Sequence, residues 1–330
     1  MQCGRKQLAG STQDVGEMSS TVVEDKDETA YPSQAISIVV GYPPGGGADS
    51  LARLLAKHLG KELASEVVVV NHVGSDGNVG AEAMCRAKAD GYTLYLCARP
   101  NTLHKYLFAS LEFDFAEDLI PIGLIAMTPN VIVASRHSPV RSLEDLLEIA
   151  RTNPGQLRCA SPGMGSTGYL LLEIFQQETG IDVDHIAYKG SSLAYLDLKE
   201  GRVDVLFSTL SSAIPHIREG TLQGLAIMSK TMDGHIVELP SMSDRGMPNL
   251  DVDSWAGLMV PSGTPESVIA RLSEGINAVL KEEDVIAEMM QLGYATPPQP
   301  NPPEAMKKLG EEEAERWLAM MKDRGILPFH

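Results

Sequence analysis

At 330 residues, with 43% hydrophobic and 22% charged residues, the chain has a soluble globular composition and enough length for one large or two ordinary domains. Its formal net charge of -17 argues against a nucleic-acid partner, because that binding rests on neutralising phosphates with Lys and Arg. Only 5% of residues are aromatic, which argues against stacking platforms for sugars or bases, so an anion must be held locally, by oriented N–H groups.

Residues 1–34 are polar, lack the apolar stretch of a signal peptide and read as a disordered tail. The cysteines Cys3, Cys85, Cys97 and Cys159 stand singly with no CxxC pair, which suits core filling better than zinc or a disulfide framework. No apolar run approaches the roughly 18 residues that span a bilayer.

From residue 36 strand-like and helix-like segments alternate, the pattern of an α/β fold with mainly parallel strands. "ISIVV" (36–40) predicts a strand. "GYPPGGGADSLARLLAKHLG" (41–60) then places a glycine-rich turn before a helix with Leu51, Leu54, Leu55 and Leu59 on one face. "SEVVVVN" (65–71) and "YTLYLCA" (92–98) predict two more strands. "PNVIVAS" (129–135) starts another block, with a helix over 142–153 in which Ser142 and Asp145 resemble a capping box. "LRCASPGMGSTGYLLLEIFQQETG" (157–180) repeats strand, glycine turn and helix. "HIAYKG" (185–190), "VDVLFST" (203–209) and "LQGLAIMS" (222–229) read as strands, and two helical segments, 265–281 and 303–325, close the chain after "SWAGLMVP". Two α/β lobes that each offer a loop with exposed backbone donors suggest a ligand held between them.

"PPGGGADS" lacks the GK[ST] of a P-loop and the spacing of a dinucleotide fingerprint. Gly45, Gly46 and Gly47 would let the backbone approach a carboxylate, aided by the dipole of the following helix, or they serve only a tight packing turn. In "SPGMGSTG" (161–168), Ser161, Ser166 and Thr167 either cap the helix or face the ligand. Arg99 follows directly on a strand, which would deliver its fork to a cleft carboxylate; the alternative is a surface arginine. Among the eight histidines no HExxH spacing occurs, and GMGST has Gly165 where a nucleophile elbow needs Ser. The least unsuitable acid and base for an enzyme acting on a carboxylate are Asp49 and His72. No cofactor or metal is implied.

The ordered motifs "GYPPGGGADSLARLLAKHLG", "VVVVNHVGSDGNVGAEAM", "ADGYTLYL", "FDFAEDLIPI", "SPGMGSTGYLLLE", "HIAYKGSSLAYLDLKEGRVDVLF", "SAIPHIREG" and "SWAGLMVPSGTP" resemble the receptors of tripartite tricarboxylate transporters, also called Bug-type extracytoplasmic solute receptors. The resemblance covers about residues 35–328. It implies a two-lobe, class II periplasmic-binding-protein fold, with lobe 1 over 35–135 and 256–330 and lobe 2 over 136–255. It also implies a non-enzymatic, monomeric periplasmic receptor that captures a di- or tricarboxylate or an aromatic acid for membrane permease subunits. A native start without a signal peptide would instead leave a carboxylate-sensing module in the cytosol. The resemblance places the ligand carboxylate between Pro44, Gly45, Gly46, Gly47, Ala48 and Asp49 of one lobe and Gly163, Gly165, Ser166 and Thr167 of the other. The chain departs from the family pattern at three places: Ala98-Arg99-Pro100-Asn101 replaces a polar turn, Tyr169 stands where a histidine is usual, and Ser208 where an aspartate is common. Losing an acid while gaining Arg99 implies a ligand with a second negative charge.

Overall fold

The computed structural model describes residues 31–108, 111–229, 237–323 and 325. Residues 1–30 of the expected tail lie outside the described residues. The tail expectation fails for residues 31–34: the Tyr31 ring packs on Tyr92 at 5.1 Å, its hydroxyl donates to the Gly91 carbonyl, and the Ser33 N–H donates to the Tyr92 hydroxyl.

β1 (Ile36–Val40) leads through the glycine loop into α1 (Gly47–Glu62), then β2 (Val67–Asn71), α2 (Asn78–Cys85) and β3 (Thr93–Ala98). The single-turn helices α3 (His104–Leu107) and α4 (Phe115–Asp118) precede the long β4 (Leu119–Ser135). Next come α5 (Leu143–Thr152), β5 (Arg158–Ser161), α6 (Thr167–Thr179), β6 (Asp184–Ala187), α7 (Ser191–Lys199), β7 (Val205–Thr209), α8 (Leu210–Arg218) and β8 (Leu222–Met228). The chain closes with β9 (Asp253–Pro261), α9 (Glu266–Val279), α10 (Glu283–Gln291) and α11 (Pro303–Asp323).

Two sheets of the same plan result. Lobe 1 has the order β2-β1-β3-β9-β4, and lobe 2 β6-β5-β7-β4-β8. Among the described residues, pairing is parallel among β1–β3 and among β5–β7, and every antiparallel pair involves β4, which passes from one lobe to the other, or β9, which begins at the return crossing. The buried faces follow the sequence periodicity. Leu51, Leu55 and Leu59 of α1 are at most 1% exposed against the sheet of β1 and β3, each burial stabilising by about 1.5–3 kcal/mol. Ser142 caps α5 by accepting the Asp145 N–H at 3.1 Å.

The lobe boundaries differ from the sequence expectation. β4 pairs with β9 over Leu119–Pro129 and with β7 over Asn130–Ala134, so the first crossing lies at Pro129/Asn130 rather than 135/136. Its first half escaped notice because Pro121 and Pro129 punctuate it; the strand absorbs the irregularity with register shifts at Pro121/Gly123 and Leu124/Ala126. The second crossing lies at Val252/Asp253, where β9 begins. α11, placed wholly in lobe 1 from sequence, bridges both lobes. Met306 and Leu309 pack with Met259 and Trp255 of lobe 1, whereas Trp317 and Met321 join the lobe 2 core around Leu170 and Ile174.

Candidate functional site

Parallel strands carry their following helices' N-termini to the sheet's carboxyl edge, and here the two edges face each other. Four helices therefore start on the interlobe cleft: α1 after β1, α6 after β5, α7 after β6 and α8 after β7. The first-turn N–H groups of a helix have no intrahelical acceptor, and the helix dipole makes that end positive. Between these starts lies a cavity of about 140 Å³. Its lining contains seven serines, three threonines and the aromatic rings of Tyr42, Trp255 and Tyr294, with no Asp, Glu, Lys, Arg or His among the described residues.

Of the sequence-predicted residues, Gly46, Gly47, Ala48, Ser166, Thr167 and Ser208 line this cavity. Gly47 is pinched between the lobes: a Cβ there would lie 2.9 Å from Ser211 Oγ, 3.2 Å from Ser212 Oγ and 3.0 Å from the Tyr294 hydroxyl. Only Gly45 of the three glycines uses a positive φ, +81°. Pro44 and Gly45 form the turn beside the cavity rather than its wall.

Asp49 is turned to the back of the loop. It is 3% exposed and accepts from the Gly45 N–H at 3.0 Å, from Arg53 Nε and Nη2 at 2.9 Å and from Asn71 Nδ2 at 3.0 Å. Burial alone would raise its carboxyl pKa, but these hydrogen bonds and the Arg53 charge hold it below the usual value. Its charge is therefore spent on the loop, leaving neither repulsion of an anion nor a general base. In the opposite loop the Gly163 carbonyl accepts from Ser166 N–H and Oγ, at 3.0 and 2.7 Å, while Gly165 is buried. Tyr169 is 8% exposed, stacks on His185 at 4.9 Å and lies outside the cavity wall.

Arg99 corrects the sequence expectation most sharply. It is 1% exposed, and its guanidinium points away from the cleft towards α11. Nε lies 3.2 Å from Glu313 Oε2, Nη2 donates to the Asp253 carbonyl and to Ser254 Oγ, both at 3.2 Å, and the group sits 4.8 Å from the Trp317 ring centre. Burial depresses its pKa to about 10 despite the Glu313 charge. Buried behind the cleft and engaged by Glu313, Asp253 and Ser254, Arg99 does not line the cavity, so the inference of a second ligand charge drawn from it loses its support. The network continues from Ser254 Oγ to Asn130 Oδ1 at 3.1 Å and from Asn130 Nδ2 to the Val252 carbonyl at 2.7 Å, tying the two crossing strands together. Asn101 is likewise structural, its Oδ1 accepting the Ala98 N–H at 2.9 Å.

Three donor groups were missed in the sequence. Ser191 and Ser192 start α7, and Thr209, Ser211 and Ser212 start α8. Ser211 Oγ donates to Thr209 Oγ1 and Thr209 Oγ1 to Ser212 Oγ, each at 3.1 Å, and neither helix has a side-chain cap. The third, Tyr294, closes the wall against Ser211, its hydroxyl pKa pushed up to about 12 by burial. The signal available was the recurrence of strand, turn and Ser-rich helix start in "YKGSS" and "FSTLSS".

The sequence profile of the tripartite tricarboxylate transporter family receptor matches residues 51–326. Protein BugT of Bordetella pertussis is 33% identical over 297 residues, 89% of this chain and 90% of its own. Among solved structures, that titled R. palustris Rpa4515 with adipate superposes with a TM-score of 0.86 at 29% identity, covering 91% of this chain and all of its own. MatC (Rpa3494) from Rhodopseudomonas palustris with bound malate gives 0.80 at 27%, covering 87% and 98%. No helix of the described residues is long and apolar enough to cross a membrane. The chain has the two-lobe fold of periplasmic binding proteins and belongs to the tripartite tricarboxylate transporter receptor family.

Proposed function

We propose that this chain is a periplasmic receptor that captures a small carboxylic acid between its lobes and presents it to the membrane permease subunits of a tripartite transporter. The observation that carries this reading is the convergence of four helix N-termini on a hydroxyl-lined cavity with no charged side chain. A carboxylate there meets backbone N–H donors at Gly47 and Ala48 on one side and at Thr167 and Ser191 on the other, while the Ser211 N–H is taken by Thr128 Oγ1 at 3.3 Å. Each helix end contributes about 0.3–1 kcal/mol when exposed and up to about 2 kcal/mol in a partly buried geometry.

The adipate and malate held by the two relatives make a di-acid of comparable size the leading candidate. The second carboxylate is then met by dipoles and hydroxyls, because Arg99 is committed elsewhere. The same groups disfavour catalysis: Asp49 is fixed by Arg53 and Asn71, and no acid or base lines the cavity among the described residues. Binding energy is spent on lobe closure about the crossings at Pro129/Asn130 and Val252/Asp253.

A thermal-shift screen over mono-, di- and tricarboxylates tests this. An acid with a Kd of about 1 μM, at about 100-fold excess, stabilises the protein by about 2.7 kcal/mol. A flat response to every carboxylate would remove the reading.

A further inference from the structure

The interlobe cavity is not the larger one. A groove of about 460 Å³ runs beneath α11 on the far side of Trp255, in the size range of small-molecule sites, about 300–1,000 Å³. Its floor is apolar, from Leu119, Trp255, Met259 and Met306, and Trp255 also lines the interlobe cavity. The two methionines give that floor an adaptable surface.

Two features indicate that the groove is kept open for an occupant. Gly310 lies inside the 21-residue α11, where glycine weakens a helix, and lines the groove. Packing does not demand it: a Cβ there would meet only Thr102 Cγ2, at an ordinary 3.5 Å. The second feature is charge. Among the described residues four carboxylates, Asp114, Glu117, Glu311 and Glu315, line the groove against two cations, Lys105 and Lys307. Lys105 is engaged by Asp114 at 3.0 Å, and Lys307 lies one turn from Glu311, so the wall keeps an excess of negative charge at Glu117 and Glu315. An apolar floor under such a wall complements an apolar body carrying a positive end and opposes the carboxylates that suit the cleft.

We propose that the groove under α11 is a second ligand site, separate from the interlobe cleft, for a small amphiphile with an aliphatic body and a protonated amine. Because α11 packs on both lobes and Trp255 walls both cavities, the site lies behind the hinge.

Isothermal titration of the full chain with hexylamine, hexan-1-ol and hexanoate tests it. The expected result is saturable hexylamine binding, with hexan-1-ol at least fivefold weaker. Gly310→Leu, a helix-compatible substitution that fills the groove, should weaken hexylamine at least tenfold and leave any hexanoate binding in the cleft unchanged. The double variant Glu117→Gln/Glu315→Gln, altered only in side chains of the groove wall, should weaken hexylamine several-fold and leave hexan-1-ol unaffected. No saturable hexylamine binding, binding indifferent to Gly310→Leu, or hexan-1-ol binding as tightly as hexylamine would each overturn the proposal.

Discussion

The two glycine-rich jaws, "PPGGGADS" and "SPGMGSTG", look alike in sequence and are built differently. The first opens α1 on Gly46, which has no side chain to cap with, and is held from behind by Asp49. The second opens α6 on Ser166, whose hydroxyl accepts the Tyr169 N–H at 3.2 Å and donates to the Gly163 carbonyl at 2.7 Å. Their small residues differ in the same way. A Cβ on Gly168 would strike its own lobe, 2.2 Å from the Phe207 carbonyl oxygen, whereas one on Gly47 would strike side-chain hydroxyls, Ser211 and Ser212 across the cleft and Tyr294 beside it. The second jaw is fixed to its sheet and self-capped; the first leaves its N–H groups and its close approach for the other lobe and the ligand.

The largest effect expected from this contrast is on stability at the second jaw. Gly168→Ala forces α6 off a backbone carbonyl that cannot turn aside, and should cost about 3 kcal/mol in urea unfolding. An unchanged midpoint would mean that α6 is not pressed on β7. Next comes the support of the first jaw. Asp49→Asn replaces a buried carboxylate that accepts from the Gly45 N–H, Arg53 and Asn71 with a neutral amide that accepts them less well, a loss of about 2 kcal/mol at neutral pH. The folded-state pKa of Asp49 is depressed, so its contribution is present above the unfolded carboxyl value near ~3.9 and lost as pH falls through the folded value. Wild type and Asp49→Asn should therefore converge in stability below about pH 4. A gap that stays constant with pH would show that the charge is not what holds the loop.

How much of this was legible depends on range. Strand, turn and helix order is local and was readable: "ISIVV" forms β1 over the expected residues, and Ser142 caps α5. What failed depended on partners far along the chain. Arg99 at the end of β3 reads as a cleft residue until α11, more than 200 positions later, brings Glu313 and Trp317 over it. Only the second half of β4, 129–135, reads as a strand, because its prolines break the propensity of the first half, and pairing with β9 is what makes the whole one strand. The cavity wall was half visible. The glycine loops announced two helix starts by composition, while α7 and α8 contribute serines and a threonine that any solvent-facing turn could carry.

Gly47→Ala sharpens the contrast from the other side. The methyl group needs no unusual backbone and favours the helix by up to about 1 kcal/mol, and the hydroxyls it meets are side-chain ends that can turn aside, so the free protein should unfold within about 1 kcal/mol of wild type. Ser211 and Ser212 of the other lobe and Tyr294 of its own lobe, however, lie within 3.2 Å of that methyl, so it holds the two jaws apart. Carboxylate affinity should fall at least about tenfold, about 1.4 kcal/mol, in titration calorimetry. Loss of stability with unchanged affinity would make Gly47 a packing glycine like Gly168.

The smallest effect separates cap from ligand contact at Ser166, which lines the cavity and could serve as either. Its hydroxyl proton goes to the Gly163 carbonyl and one lone pair to the Tyr169 N–H, so the group is already occupied in both directions. Ser166→Ala should then cost about 1 kcal/mol of stability, the usual value of a lost helix cap, and change carboxylate affinity by less than about twofold. The opposite pattern, unchanged stability with a tenfold weaker ligand, would show that the hydroxyl turns to the ligand on closure. The second jaw would then donate as the first does, through groups left free for the anion.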